Sequence, residues 1–166
     1  MNDFDRLREL LRGQPYLIVD GISGDVRLAD RALAFRKMTE TGLFHSQVVM
    51  DAAAALRNFA KLTGSTDREF GSRDVAKIAG VAYSQLYGWL MEEVLVPSVQ
   101  PRQGAGRGKN LTFSWPDAYV AGLLGSLRRQ GVRLELLAQA CRLFGKPTKT
   151  KKPKRPARKV IASARA

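Results

Sequence analysis

Few residues of this 166-residue chain have types and spacings that could do chemistry. Asp20 and Asp25 bracket Gly21 and Gly24, a spacing that could cradle a phosphate or a metal ion. Glycine between short acidic residues after an apolar run is also an ordinary turn, and that reading is preferred. His45 and Cys141 are the sole histidine and the sole cysteine. One imidazole and one thiol make neither a triad nor a multi-cysteine zinc site, and Cys141 falls on the apolar side of a helical pattern. No enzyme activity and no cofactor are expected.

The residues that do cluster are cations and hydrogen-bonding side chains. Arg73 opens a short helical pattern over 73–79. Gly80 offers a sharp turn and Val81 a plug between two helices. A second helix over 83–92 buries Leu86, Trp89 and Leu90, which leaves Tyr83, Ser84, Gln85, Tyr87 and Gly88 nearer its open side. Gln85 has the geometry to pair with an adenine edge, and Tyr83 or Tyr87 can reach a phosphate or a thymine methyl. The tyrosines could equally be packing residues with a wet hydroxyl. Beyond a strand-like stretch over 94–99, a glycine-rich loop over 103–110 carries Arg107 and Lys109, with Arg102 at its base. Residues 111–113 return as a strand. A β-hairpin of this kind can bring cations to a phosphate backbone.

These groups need elements to hold them. Ser72 is the expected cap of the 73–79 helix. Ser114, with Pro116 and Asp117 in the first turn, opens a helix ending near residue 130, and a last helix runs to residue 144 with Leu134, Leu137, Cys141 and Phe144 inward. Ahead of them, the periodicity predicts a helix over 3–12 (Phe4, Leu7, Leu10, Leu11), a strand over 16–22, a helix over 26–41 (Leu28, Ala32, Phe35, Met38) and a helix over 46–62 (Val49, Ala53, Leu56, Ala60). Ser46 is a candidate cap for the last of these and Gly64 a candidate stop. The order divides the chain into a helical extension over 1–67, a reader over 69–144 and a tail over 145–166.

Charge follows the same division. The net charge is +13, yet residues 1–67 hold nine basic and nine acidic side chains. Residues 68–144 hold ten and six, and residues 145–166 hold nine and none. In the tail, Lys149, Lys151, Lys152, Lys154, Arg155, Arg158 and Lys159 alternate with Pro153 and Pro156. No aromatic residue is present to bury, so disorder and an extended path along phosphates are expected. Positive charge gathered beside a reader points to nucleic acid. No apolar run reaches the roughly 20 residues of a membrane span, and the acidic, polar start does not read as a secretory signal. A cytoplasmic, nucleoid-associated protein is expected.

The ordered set Asp74-Val75-Ala76-Lys77, Gly80-Val81, Leu86, Trp89, Pro97, Arg107 and Lys109, Phe113-Ser114, Asp117, and Gly131-Val132 with Leu134 resembles the winged helix-turn-helix of the MerR superfamily of bacterial transcription regulators. The match covers about 70 residues. It implies a mainly α fold with a small β-hairpin wing over about 102–113, and a recognition helix over about 83–92 in the major groove of double-stranded DNA. The candidate DNA contacts are Arg107 and Lys109, which the resemblance places on the wing, with Arg73, Tyr83, Ser84, Gln85, Tyr87 and Arg102 read from their positions on the helix pair and at the loop base, and Lys151, Lys152, Lys154 and Arg155 of the tail read from charge, on phosphates. The chain departs from the family at Tyr87 and Leu111, where arginine is usual, at the frequently basic Ser84, and at Ala82, where a Ser or Thr cap is usual. The family's long dimerising helix is not matched either, so residues 1–67 are the expected route to a homodimer or a protein partner. Two other functions compete with a sequence-preferring regulator: an antitoxin-like or adaptor module, and an excisionase-type or nucleoid architectural protein.

Overall fold

A computed structural model describes residues 2–40, 47–99 and 111–145. Helix accounts for 57% of the described residues, which are mainly helical, with two small antiparallel sheets. The first helix, α1 (Asp3–Leu10), is capped by Asn2, whose Oδ1 accepts the Asp5 N–H at 2.8 Å, and Asp3 and Asp5 face the positive end of its dipole. Leu7 and Leu11 are buried as expected, whereas Leu10 is exposed.

Strand β1 (Tyr16–Asp20) lies between β2 (Val26–Ala29) and β3 (Gln47–Asp51), antiparallel to both. Leu17, Ile18 and Val19 are all buried, which marks a central strand covered on both faces. Leu17 and Val19 join the main core, and Ile18 faces the opposite way, the side on which helix α2 (Arg31–Glu40) crosses the sheet.

Two expectations fail here. Residues 26–41 are not one helix but strand β2 followed by α2, and residues 46–62 are strand β3 followed by helix α3 (Ala52–Thr63). Each boundary is an aspartate: Asp30 Oδ1 accepts the Leu33 N–H at 2.8 Å, and Asp51 Oδ1 accepts the Ala54 N–H at 2.7 Å. A side chain that bonds an orphan amide of the first turn starts a helix whatever apolar period runs across it. Upstream of those caps, Val26 and the Val48–Val49 pair are stiff β-branched residues that suit a pleated surface. The N-terminal third is therefore an α/β unit, not a helical extension. Asp51, not Ser46, caps α3, and Ser46 lies outside the described residues. On α2 the expected inward residues Phe35 and Met38 are exposed and Ala34 is buried instead. Gly64 ends α3 in the left-handed conformation, as expected.

The second half begins with β4 (Phe70–Gly71), then helix α4 (Ser72–Ala79) and helix α5 (Tyr83–Met91). Strand β5 (Thr112–Phe113) pairs with β4, Phe70 opposite Phe113. Helices α6 (Trp115–Arg129) and α7 (Leu134–Phe144) complete the order. Ser114 caps α6 as expected: its Oγ accepts the Asp117 N–H at 3.4 Å and Asp117 Oδ2 accepts the Ser114 N–H at 3.0 Å.

Helix α6 is the pillar of the molecule and packs against α1, α3, α4 and α7. Its approach to α4 is close because residue 125 is glycine: a Cβ there would overlap the Ala79 carbonyl. On its other side, Trp115 Nε1 donates to Thr63 Oγ1 at 2.8 Å and the Tyr119 hydroxyl donates to the Ala52 carbonyl at 2.6 Å. The Trp115 ring also meets Phe4 and Phe59, with centroids 5.6 and 4.9 Å away. One contiguous buried cluster thus includes Leu7, Leu17 and Leu56 together with Val75, Leu86, Leu124 and Leu137. No helix among the described residues is long and apolar enough to cross a membrane.

Candidate nucleic-acid interface

The outward face of α5 is set by the turn that precedes it. Gly80 stands at φ +65°, a conformation that costs any residue with a Cβ about 1–2 kcal/mol. The Gly80 N–H donates to the Lys77 carbonyl at 3.1 Å and the Val81 N–H to the Ala76 carbonyl at 3.0 Å, closing α4. The Arg129 guanidinium then donates to the Ala79 carbonyl at 2.8 Å and to Ser126 Oγ at 2.9 Å. A cation on the last carbonyls of α4 opposes the negative end of its dipole and locks the turn. A Cβ at residue 80 would displace this guanidinium, a flexible side-chain end, so it is the positive φ that calls for glycine here.

Helix α5 starts without a side-chain cap, because Ala82 has no acceptor. Half of a capping box remains: Gln85 Oε1 accepts the Ala82 N–H at 3.1 Å. Gln85 therefore has a structural task that spacing alone did not reveal. Leu86 and Trp89 are buried, as expected, and Leu90 is partly so. Tyr83 and Tyr87 are 56% and 54% exposed, so they are not packing residues, and Ser84 and Gln85 are exposed beside them. Met91, at 67%, extends the same line. Gly88 sits mid-helix, where it costs roughly 0.5–1 kcal/mol relative to alanine, yet a Cβ there would meet nothing within 4 Å.

After α5 the chain departs from expectation. Residues 94–99 form no strand. The Glu93 N–H donates to the Leu90 carbonyl at 3.3 Å and the Val94 N–H to the Trp89 carbonyl at 2.8 Å, with Glu93 at φ +54°. This left-handed helix ending turns Val94 and Leu95 into the core, and buried side chains at two successive positions do not fit strand alternation. Strand β5 consequently pairs with β4, not with 94–99. Ser72, the expected cap of α4, is its first helical residue; Gly71 takes the cap position, and the Ser72 hydroxyl donates to the Leu111 carbonyl at 3.3 Å. Ser98 is fastened to α6: its N–H and Oγ donate to Asp117 Oδ2 at 2.9 and 2.8 Å.

Arg73 is exposed on α4, with Lys77 exposed one turn later. Together with Arg129 at the turn, these are the cations nearest in sequence or contact to the start of α5 among the described residues. Lys77 enters the sequence reading only as part of the family motif and not as a candidate contact, and Arg129 does not enter it, since it reads as a charge at a helix end. Arg102, Arg107 and Lys109, and Lys151, Lys152, Lys154 and Arg155, lie outside the described residues.

The remaining candidates resolve into structure. Asp20 Oδ1 accepts the Ile22 and Ser23 amides at 2.9 and 3.1 Å, and Gln47 Nε2 donates to its Oδ2 at 2.6 Å. Those bonds, the Ser23 amide first, hold its carboxyl below the usual carboxylate range. It shapes the β1–β2 turn, as expected of a simple turn. Burial pushes the Cys141 thiol up to about 11, the opposite of a nucleophile. His45 lies outside the described residues. Among the described residues, no group of three or more His, Cys, Asp and Glu could hold a metal ion. A second surface feature lies elsewhere: α1, residues 11–15 and α3 enclose a groove of about 860 Å³ floored by Phe4, Leu11, Pro15, Ala53 and Leu56. No family model matches the chain, and no curated protein and no solved structure matches it.

Proposed function

We propose that the chain is a sequence-preferring, DNA-binding regulator whose residues 69–144 act as a MerR-like winged helix-turn-helix. In this reading α5 enters the major groove, Tyr83, Ser84, Gln85 and Tyr87 face base edges, and Arg73 contacts the backbone. Arg102, Arg107 and Lys109 form the cationic part of the wing, and Lys151, Lys152, Lys154 and Arg155 add grip along the phosphates. One observation carries the reading: α5 is anchored from below by Leu86 and Trp89 while its polar and aromatic residues stand open on the other side. Two tyrosines more than half exposed beside Ser84 and Gln85 give that open side both ring surface and hydrogen-bonding groups.

The test is duplex binding by the full chain, followed by fluorescence anisotropy between 50 and 200 mM salt. Neutralising about six phosphates corresponds to a log–log slope near −5. Removal of residues 146–166 is expected to weaken binding to all duplexes and make the slope shallower. An unchanged slope refutes the part given to the tail, and absence of binding at low salt refutes the whole reading. The α1–α3 groove favours the adaptor reading instead, which predicts that duplex affinity is absent while the fold is intact.

A further inference from the structure

We infer that α5 selects A·T base pairs, and that it does so through the C5-methyl groups of thymine. The inference rests on the reading of α5 as the groove-entering helix and adds the chemistry of what it reads. The commonest specific contact to guanine is an arginine or lysine laid bidentate on O6 and N7. Residues 83–91 contain neither. Cytosine is read by a carboxylate that accepts from N4. Residues 83–91 contain none, and Glu92 and Glu93 follow at the C-terminal end, away from the N-terminal residues that reach base edges.

Beside the exposed Ser84 and Gln85, α5 presents an apolar stripe. Tyr83, Tyr87 and Met91 recur every four residues and form one stripe, each more than half exposed. Gly88 lies beside that stripe with open space where its Cβ would be, so no packing within the described chain calls for it. Gln85 does not oppose the choice of A·T pairs. The Ala82 N–H can only donate, so it fixes the amide oxygen inward and leaves Nε2 as the free end. A donor satisfies purine N7 in either pair, guanine O6 or thymine O4, so Gln85 is compatible with A·T but does not itself choose it, and the choice rests on the apolar stripe. The surroundings suit a polyanion: Arg73 and Lys77 are exposed on α4, which packs beside α5, Arg129 sits at the joining turn, and the chain carries +13. An apolar stripe bordered by cations complements the methyl-lined floor of an A·T-rich major groove between its phosphate rails.

The experiment is selection from random duplexes with the full chain, then replacement of each thymine in the selected site by deoxyuridine, which removes only the methyl group. A·T-enriched sites are expected, with affinity falling about fourfold for each contacted thymine so replaced. Tyr87→Phe should keep that sensitivity, because the ring makes the contact. Tyr87→Ala should lose it while the circular dichroism spectrum stays native. G·C-rich sites, sequence-indifferent binding, or unaltered affinity for the uridine duplex overturns the inference and leaves DNA binding standing. A chain that binds no duplex overturns both, and a protein partner that shields Tyr83 and Tyr87 in place of DNA does the same.

Discussion

At the scale of single residues, the chain spends unusual conformations at the ends of its helices. Gly80 and Glu93 do equivalent work, each turning the chain through a left-handed residue after a short helix. Glycine does so without strain, whereas glutamate carries a Cβ cost of about 1–2 kcal/mol. Glu93→Gly is therefore expected to stabilise the fold by about 1 kcal/mol, read as a higher urea midpoint at constant m-value. A lower midpoint would mean that the glutamate side chain makes a contact worth more than the strain. The Gly80 turn was legible from sequence because glycine announces left-handed backbone. The Glu93 turn was not, since glutamate carries no such signal, and the run from Val94 to Val99 read as a strand in consequence.

At the scale of elements, the caps decide what periodicity cannot. The apolar positions Val49, Ala53, Leu56 and Ala60 fit one helical face, yet the first of them is in a strand. Asp51 breaks the run by bonding the Ala54 amide, and Asp30 does the same for α2. Each of Asp30→Ala and Asp51→Ala should cost about 1 kcal/mol in urea denaturation, the usual value of a lost helix cap. Equal stability in both variants would show that tertiary packing, not the cap, places the boundary. In the second half the caps and turns were legible, Ser114 with Asp117 and Gly80 above all. The elements that position α5 were accordingly foreseen within a residue or two, apart from the strand expected over 94–99.

At the scale of the whole molecule, the two halves are not independent. Trp115 and Tyr119 of α6 donate hydrogen bonds to Thr63 and Ala52, and Trp115 packs on Phe4 and Phe59. A fragment of residues 68–166 would leave that face of α6, with the rings of Trp115 and Tyr119, exposed to water. Such a fragment is expected to show no cooperative thermal transition by circular dichroism, although it contains every proposed DNA contact. A sharp transition near that of the full chain would establish that the helix pair and α6 are self-sufficient. Alteration of residues 1–67 is expected to reach α5 through this shared core.

Composition, charge distribution and local spacing by themselves determined the basic character of the chain, the Gly80 turn, the capped start of α6, and which side of α5 is apolar core. Those properties depend on residues within a few positions of one another. Tertiary structure alone decided that residues 26–29 and 47–51 are strands, that β5 pairs with β4, and that Arg129 locks the turn before α5. Sheet pairing and the α6 contacts join residues tens of positions apart, and no local period encodes which distant partner a side chain will meet.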